Sequence, residues 1–418
     1  MGLLIDLRPL RASRRFSVLW STGVLMSVTG QFLQVALAWK IYDITHSPLM
    51  VGLLGVAVGV PTVIFGLLGG SYADTRRPKV IGLIGSIGQF LVLLAAAGCF
   101  LVVGDPTEST VWVIYLVVVL QITCGTFSAP TRRPYLRHLL GRELLPSASS
   151  LYMLSMHIGM ILGPFLGGVL IGTVTLGVVL ILAAAAAGAY LLAVFFLPDI
   201  PAGQVGTGVK HAFIEGLVAV VRSKPLRGAF LLDLCVTVIA LPTALLPALN
   251  AEILGGGPAE YGLLVAGMSI GGLLATLLSG PITSAKRPGH VLVVAAAAWV
   301  GAILLLAWAP NFATALTVLA LVGALDTVAM TSQSIILQMA VPDNLLGRVS
   351  SFQSVAGMAG PQLGNIRGGL LGTLFGPSAG IAAGAAAGLV AVGFAAWTHP
   401  DIRKFVVSKA KEIEGSNV

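Results

Sequence analysis

Residues 174–197 read VTLGVVLILAAAAAGAYLLAVFFL, without one charged side chain, and are closed by Pro198 and Asp199. As a helix such a run is about 36 Å long, and the hydrocarbon core of a bilayer is about 30 Å thick. A helix that is apolar on every side is buried or lies in lipid. Working outward, the same test finds runs at 16–39, 50–72, 79–103, 111–130 and 147–172 before it. After it come 228–251, 259–283, 290–309, 312–340, 349–375 and 378–397. The joints at Gly172 to Gly177 and at Gly376-Pro377 are marked only by turn residues. The chain is therefore read as an all-α integral membrane protein of twelve spans.

Composition agrees. Of 418 residues, 56% are hydrophobic and 10% charged, against about 25% charged in soluble domains. That excludes a water-soluble enzyme, a nucleic-acid-binding protein and a disordered scaffold. The net charge of +8 resides between spans, where it sets topology rather than recruiting nucleic acid. Cys99, Cys124 and Cys235 all lie inside apolar runs, are odd in number and lack metal-ligand spacing. They read as small buried hydrophobes. Arg8, Arg11, Arg14 and Arg15 precede an apolar run reaching Ala38, too long for a cleaved signal, so this run is the first span.

Charge orients the stack. Of the 24 Lys and Arg residues, all but Lys40 and Arg367 fall in the two termini or the even-numbered connections. The other connections carry Asp105, Glu108, Glu252, Glu260 or no charge. By the positive-inside rule both termini are cytosolic. The longest polar stretch, Pro198 to Pro225, holds Lys210, His211, Glu215, Arg222 and Lys224, with Phe213, Leu217 and Val220 at helical spacing. It predicts an amphipathic helix on the inner leaflet. The expected organisation is a six-helix bundle over 1–197, a cytosolic linker over 198–227, and a second bundle with its tail over 228–418.

The halves repeat. Asp74-Thr75-Arg76-Arg77-Pro78 recurs as Ser284-Ala285-Lys286-Arg287-Pro288. Glu143-Leu144-Leu145 through Leu151 recurs as Asn344-Leu345-Leu346 through Phe352, and Gly163-Pro164-x-x-Gly167 as Gly360-Pro361-x-x-Gly364. Each recurrence comes six spans later with the same sidedness. That implies parallel repeats with a binding site between them near the midplane.

These residues carry a resemblance. Gly70 through Lys79, with Asp74 at its centre and Arg76, Arg77 and Lys79 as its bases, resembles the loop 2–3 motif of the major facilitator superfamily; a proline turn replaces that family's later glycine. Gly159-x-x-x-Gly163-Pro164-x-x-Gly167-Gly168 in span five is similar to the motif of its exporters. Thr45-His46-Ser47, Arg287-Pro288-Gly289, Pro342 through Arg348, Gly323 through Asp326 and Gly360 through Gly368 resemble the enterobactin-exporter branch. The resemblance implies export of a siderophore, with macrolides and other drugs as the substrates of neighbouring branches.

Few ionisable residues fall inside spans, and each is a functional candidate by default. Asp326 in span ten and Arg367 in span eleven are at depths that allow a charge pair, either a structural lock or one broken by proton or substrate. Asp233 in span seven is either a proton site or a partner of Arg227. His157 in span five is either a proton-exchange group or a neutral hydrogen-bonded histidine. On span one, Gln31 and Gln34 share a face with Ser27 and Ala38. On span ten, Met330 and Gln333 share one with Asp326. The resemblance makes these cavity-lining substrate contacts; the alternative is hydrogen bonding between helices. The glycines of spans five and eleven serve close packing, or a surface that slides. Asp74 reads as a cytosolic gate latch that accepts bonds from a helix N-terminus in the other half, with Arg76, Arg77 and Lys79 bonding in one state only.

No Walker loop, HExxH or Ser-His-Asp set is present, so the expectation is no enzyme, no cofactor and no metal. Energy then comes from an ion gradient, and the titratable groups nominate the proton. The resulting reading is a monomeric twelve-helix antiporter in the bacterial cytoplasmic (inner) membrane. It exports a siderophore-like or amphiphilic molecule, with multidrug or macrolide efflux as the alternative.

Overall fold

The computed structural model describes residues 6–75, 77–129, 132–201 and 209–406, and leaves aside the side chains of 67–75, 132–133, 209–212 and 343–344. Among the described residues every regular element is helical, the open-ended solution when no water can satisfy the backbone. Among the described residues eleven helices are long and apolar enough to cross a bilayer. The remaining span, eleven, has the length with 33 residues over Asp343–Phe375, but Gln353, Gln362, Asn365 and Arg367 dilute its apolar surface. The all-α membrane class stands.

Turn chemistry sets the ends. Pro48, Pro78, Pro258, Pro288 and Pro377 each open a span, where a missing amide hydrogen costs nothing. Span eleven stops at Gly376, whose φ of 82° is open to glycine without a steric penalty. Span one runs farther than the apolar count, over Arg14–Thr45, and so takes Lys40 into its last turns. The Lys40 ammonium is 3.0 Å from Asp105 and 3.8 Å from Asp43. Asp105 also accepts the Leu176 amide at 3.2 Å. The base that breaks the charge rule is thus paired with acids.

Span seven departs most from expectation. In place of one helix over 228–251, the chain is α-helical over Lys224–Leu234 and a π-helix over Cys235–Ala240. It breaks at Leu241-Pro242, tightens to a 3-10 turn over Thr243–Leu245 and ends in a second π-helix, Leu249–Ile253. Pro242 and Pro247 are the cause, since neither can donate and each ring crowds the preceding turn.

The chain forms two compact units. The first comprises residues to Thr45, Val60–Val209 and Gly257–Ala266. The second comprises His46–Gly59, Lys210–Gly256 and Gly267 onward. Within the first, span one lies along span five, and span three along spans four and six. Within the second, span seven packs on spans eleven and twelve, and span nine lies along spans ten and twelve. These pairings are equivalent under the sequence repeat.

Close approach explains the glycines. A methyl group on Gly163 would sit 2.8 Å from the Val28 carbonyl, and one on Gly159 or Gly167 would strike Ser27 or Phe32. In the second unit Gly360 and Gly364 press on Thr237 of span seven in the same manner. Further close approaches inside each unit seat likewise. The first turn of span eight meets Pro164 and Gly168 of span five, and Gly52 and Gly55 of span two meet Asn365 and Gln362 of span eleven.

Candidate functional site

The two in-span acids of the second unit lie on spans seven and ten. The helix over Lys224–Leu234 packs beside span ten, so Asp233 and Asp326 are carried by neighbouring helices. Both are half-buried. Asp233 makes no ion pair with Arg227 among the described residues; its own carbonyl accepts the Thr237 hydroxyl at 2.8 Å. Two acids therefore lie on neighbouring helices inside the membrane span, each costly to hold charged in hydrocarbon.

Among the described residues Arg367 forms no ion pair with Asp326, so the charge pair that their depths allow is not made. Its Nη2 donates to the Leu241 carbonyl at 3.1 Å. The break supplies the acceptor. In a continuous helix Leu241 would take the Leu245 amide, but that amide bonds Pro242 at 2.7 Å. The guanidinium fills the gap, pressed against Gly384 of span twelve. Its Nε and Nη1 are buried without a hydrogen-bond partner among the described residues. A helix break, a fixed cation and two acids thus lie in one half of the protein.

The other predicted positions are spread more widely. On span one, Gln34 is exposed, while Gln31 is half-buried with its Cβ against Gly163. On span ten, Met330 is exposed, whereas Gln333 is buried with its Nε2 unpartnered among the described residues. His157 is half-buried, off the glycine stripe, with no hydrogen-bond partner among the described residues. Of the gate set, Arg76 and the Asp74 side chain lie outside the described residues. Arg77 is 2.6 Å from Asp199 at the end of span six, within its own unit. Lys79 lies 5.8 Å from the centre of the Phe195 ring, a cation–π distance.

Nearby, the Tyr135 hydroxyl donates to the Pro198 carbonyl at 3.3 Å. Burial, then the Asp199 charge, push this phenol up to about 12. Sequence reading missed two elements. One is the Leu241 carbonyl, signalled by Pro242; the other is Asn250, fully buried in the last turns of span seven and signalled only by being polar within an apolar run.

The comparisons accord with this architecture. The profile of the transmembrane secretion effector family matches residues 6–412. The enterobactin exporter EntS of Salmonella choleraesuis (strain SC-B67) is 29% identical over 368 residues, covering 86% of each chain. That of Escherichia coli O1:K1 is 28% identical over 371 residues, again 86% of each. Among solved structures, the nucleoside transporter NupG superposes with a TM-score of 0.73 at 16% identity, over 94% of this chain and 99% of its own. A D-xylose–proton symporter gives 0.69 at 12%, over 90% and 96%. These two carry the fold alone. A multi-pass chain matched along nearly its whole length, built as two repeated six-span bundles, belongs to the transmembrane secretion effector family of major facilitator transporters.

Proposed function

We propose that this transporter exports a siderophore or similar amphiphilic small molecule in exchange for protons. It does so by alternating access, as a monomer in the bacterial cytoplasmic membrane with both termini cytosolic. Likeness to enterobactin exporters over 86% of the chain supports the substrate class. The observation that carries the coupling is the placement of Asp233 and Asp326 on neighbouring helices, with Asp233 just before the π-helical turns of span seven. A proton on either carboxylate removes the cost of holding a second charge in hydrocarbon. Asp326 is assigned the exchanged proton. Asp233 sets the field it experiences, and Arg367 holds the broken helix so that its upper and lower parts turn about Leu241-Pro242.

Gln34 and Met330, exposed on spans one and ten, are assigned to substrate contact, and Gln31, Gln333 and His157 to supporting positions. The Gly159–Gly168 face of span five is assigned to keeping spans one and eight in register while the bundles rock. The Asp74 loop, with Arg76, Arg77 and Lys79, is assigned to the cytosolic gate. Deleting the gene and measuring siderophore in cells and medium under iron starvation tests the substrate. Retention inside with loss outside, restored by the intact gene, is the expected result. Unchanged secretion, in a strain without a second exporter, overturns the siderophore assignment, and raised susceptibility to several unrelated lipophilic drugs then establishes multidrug efflux.

A further inference from the structure

The linker helix, Val209–Arg222, has two apolar faces, not one. Its first face is fastened to the second unit. The Phe213 ring packs tilted against Phe352 of span eleven with centres 5.4 Å apart, and Phe352 meets Phe230 of span seven edge-on at 5.2 Å. Gly216 is buried where any side chain would strike the Arg348 carbonyl, and Arg348 pairs with Glu215 at 2.7 Å. The adjoining stripe is left open. Ile214, Leu217, Val218 and Val221 are 37–52% exposed, at a spacing that keeps all four on one side. Of the three residues read from sequence as the apolar side of an amphipathic helix, Leu217 belongs to this open stripe, whereas Val220 is buried.

We propose that the stripe is a docking surface for anionic phospholipid of the inner leaflet, and that the fastened face transmits lipid attachment to spans seven and eleven. Placement argues for lipid. Only Ser223 separates the helix from Lys224, where span seven begins, so its end is tied to the membrane surface. Charge argues for an anionic headgroup. Arg222, Lys224 and Arg227 are exposed there without an acidic partner among the described residues. The one acid of the helix, Glu215, is neutralised by Arg348. Apolar side chains in the acyl boundary beside bases at headgroup level are the two components of interfacial binding. The inner leaflet follows from the cytosolic linker of the proposed topology, and the test separates that assignment from the lipid contact.

The full chain, with Cys99, Cys124 and Cys235 replaced by serine, is labelled with a fluorophore at Val218→Cys. It is placed in nanodiscs of phosphatidylcholine with or without phosphatidylglycerol, and Ile214→Cys serves as a second position should the first variant fold poorly. The expected result is strong quenching by lipid-borne nitroxide, weak quenching by aqueous iodide, and enrichment of phosphatidylglycerol in the lipid retained after purification. Removing bases by Arg222→Gln and Lys224→Gln should lower that enrichment about fivefold per base. Iodide quenching as strong as at a loop position overturns lipid docking, and crosslinking of two copies through Val218→Cys does so in favour of a dimer face. Equal retention of the two lipids by wild type and the glutamine variant overturns headgroup recognition. Labelling of Val218→Cys in intact cells by an impermeant thiol reagent overturns the inner-leaflet assignment alone.

Discussion

The packing of span one on span five and that of span seven on span eleven are equivalent under the repeat, yet they are built to different ends. In the first unit an unbroken 32-residue helix lies against three successive glycines, with no ionised side chain at the contact. In the second unit the same glycine pattern faces a helix that is part π, broken at Leu241-Pro242 and held by a guanidinium. Buried charge is costly in hydrocarbon, and a broken helix exposes carbonyls that need partners. At these helix contacts the second unit has both and the first neither. The lesson is a division of labour: a stiff half whose glycines serve packing, and a half whose irregular helix carries the titratable chemistry.

The largest effect should come from Asp326→Asn, which retains shape and hydrogen bonding but cannot exchange a proton. Coupled transport should fall to background while the purified protein remains monodisperse with an unchanged melting curve. Asp233→Asn should slow transport and shift its pH profile without abolishing it, because Asp326 remains; equal loss in the two variants would break the distinction between them.

Next comes Arg367→Met. It leaves the Leu241 carbonyl buried and unpartnered, a cost of about 1–3 kcal/mol, read as a lower melting temperature together with reduced transport. Gly163→Ala and Gly364→Ala then sharpen the comparison. Each places a methyl against a backbone carbonyl and should cost about 1–3 kcal/mol. In the stiff half the loss should appear in stability, with transport per folded molecule preserved. In the broken half transport should fall further than stability does. Identical behaviour of the two variants would dissolve the division.

The smallest effect belongs to Asp6, outside the membrane. Hydrogen bonds from Arg8, then from Ser147, hold this carboxylate well below the usual carboxylate range. Because the folded state favours the charged form, its contribution is complete above the unfolded value near 4 and is lost as pH falls below that. Asp6→Asn should therefore narrow the melting difference from wild type only in acid, with none of the effect on transport seen for Asp326.

Much of this was legible in the sequence, for physical reasons that differ by region. Run length against bilayer thickness fixes spans such as 174–197, and lipid leaves no structural alternative to helix there. The repeat of Gly163-Pro164 at Gly360-Pro361 shows equivalent close packing because only glycine permits it. Asp326 and Asp233 could be named because an acid is rare in an apolar run. Their mutual approach could not, since it depends on how spans seven and ten pack. The partner of Arg367 is not legible for a related reason. Depth along a helix shows which charges are level, while the competing acceptor, one carbonyl freed by Pro242, comes from backbone geometry. Span seven was drawn as continuous because average hydropathy is blind to two prolines. Helical spacing shows that the linker helix is amphipathic, but which of its apolar residues are covered, Phe213 by Phe352 and not Leu217, depends on how the helix packs on span eleven.

The central claim is tested most directly in proteoliposomes with an imposed proton gradient, following siderophore movement and lumenal pH together for wild type and Asp326→Asn. The account predicts gradient-driven siderophore movement with opposite proton flow in wild type, and neither in the variant. Siderophore movement and proton flow in Asp326→Asn at the wild-type rate would contradict it.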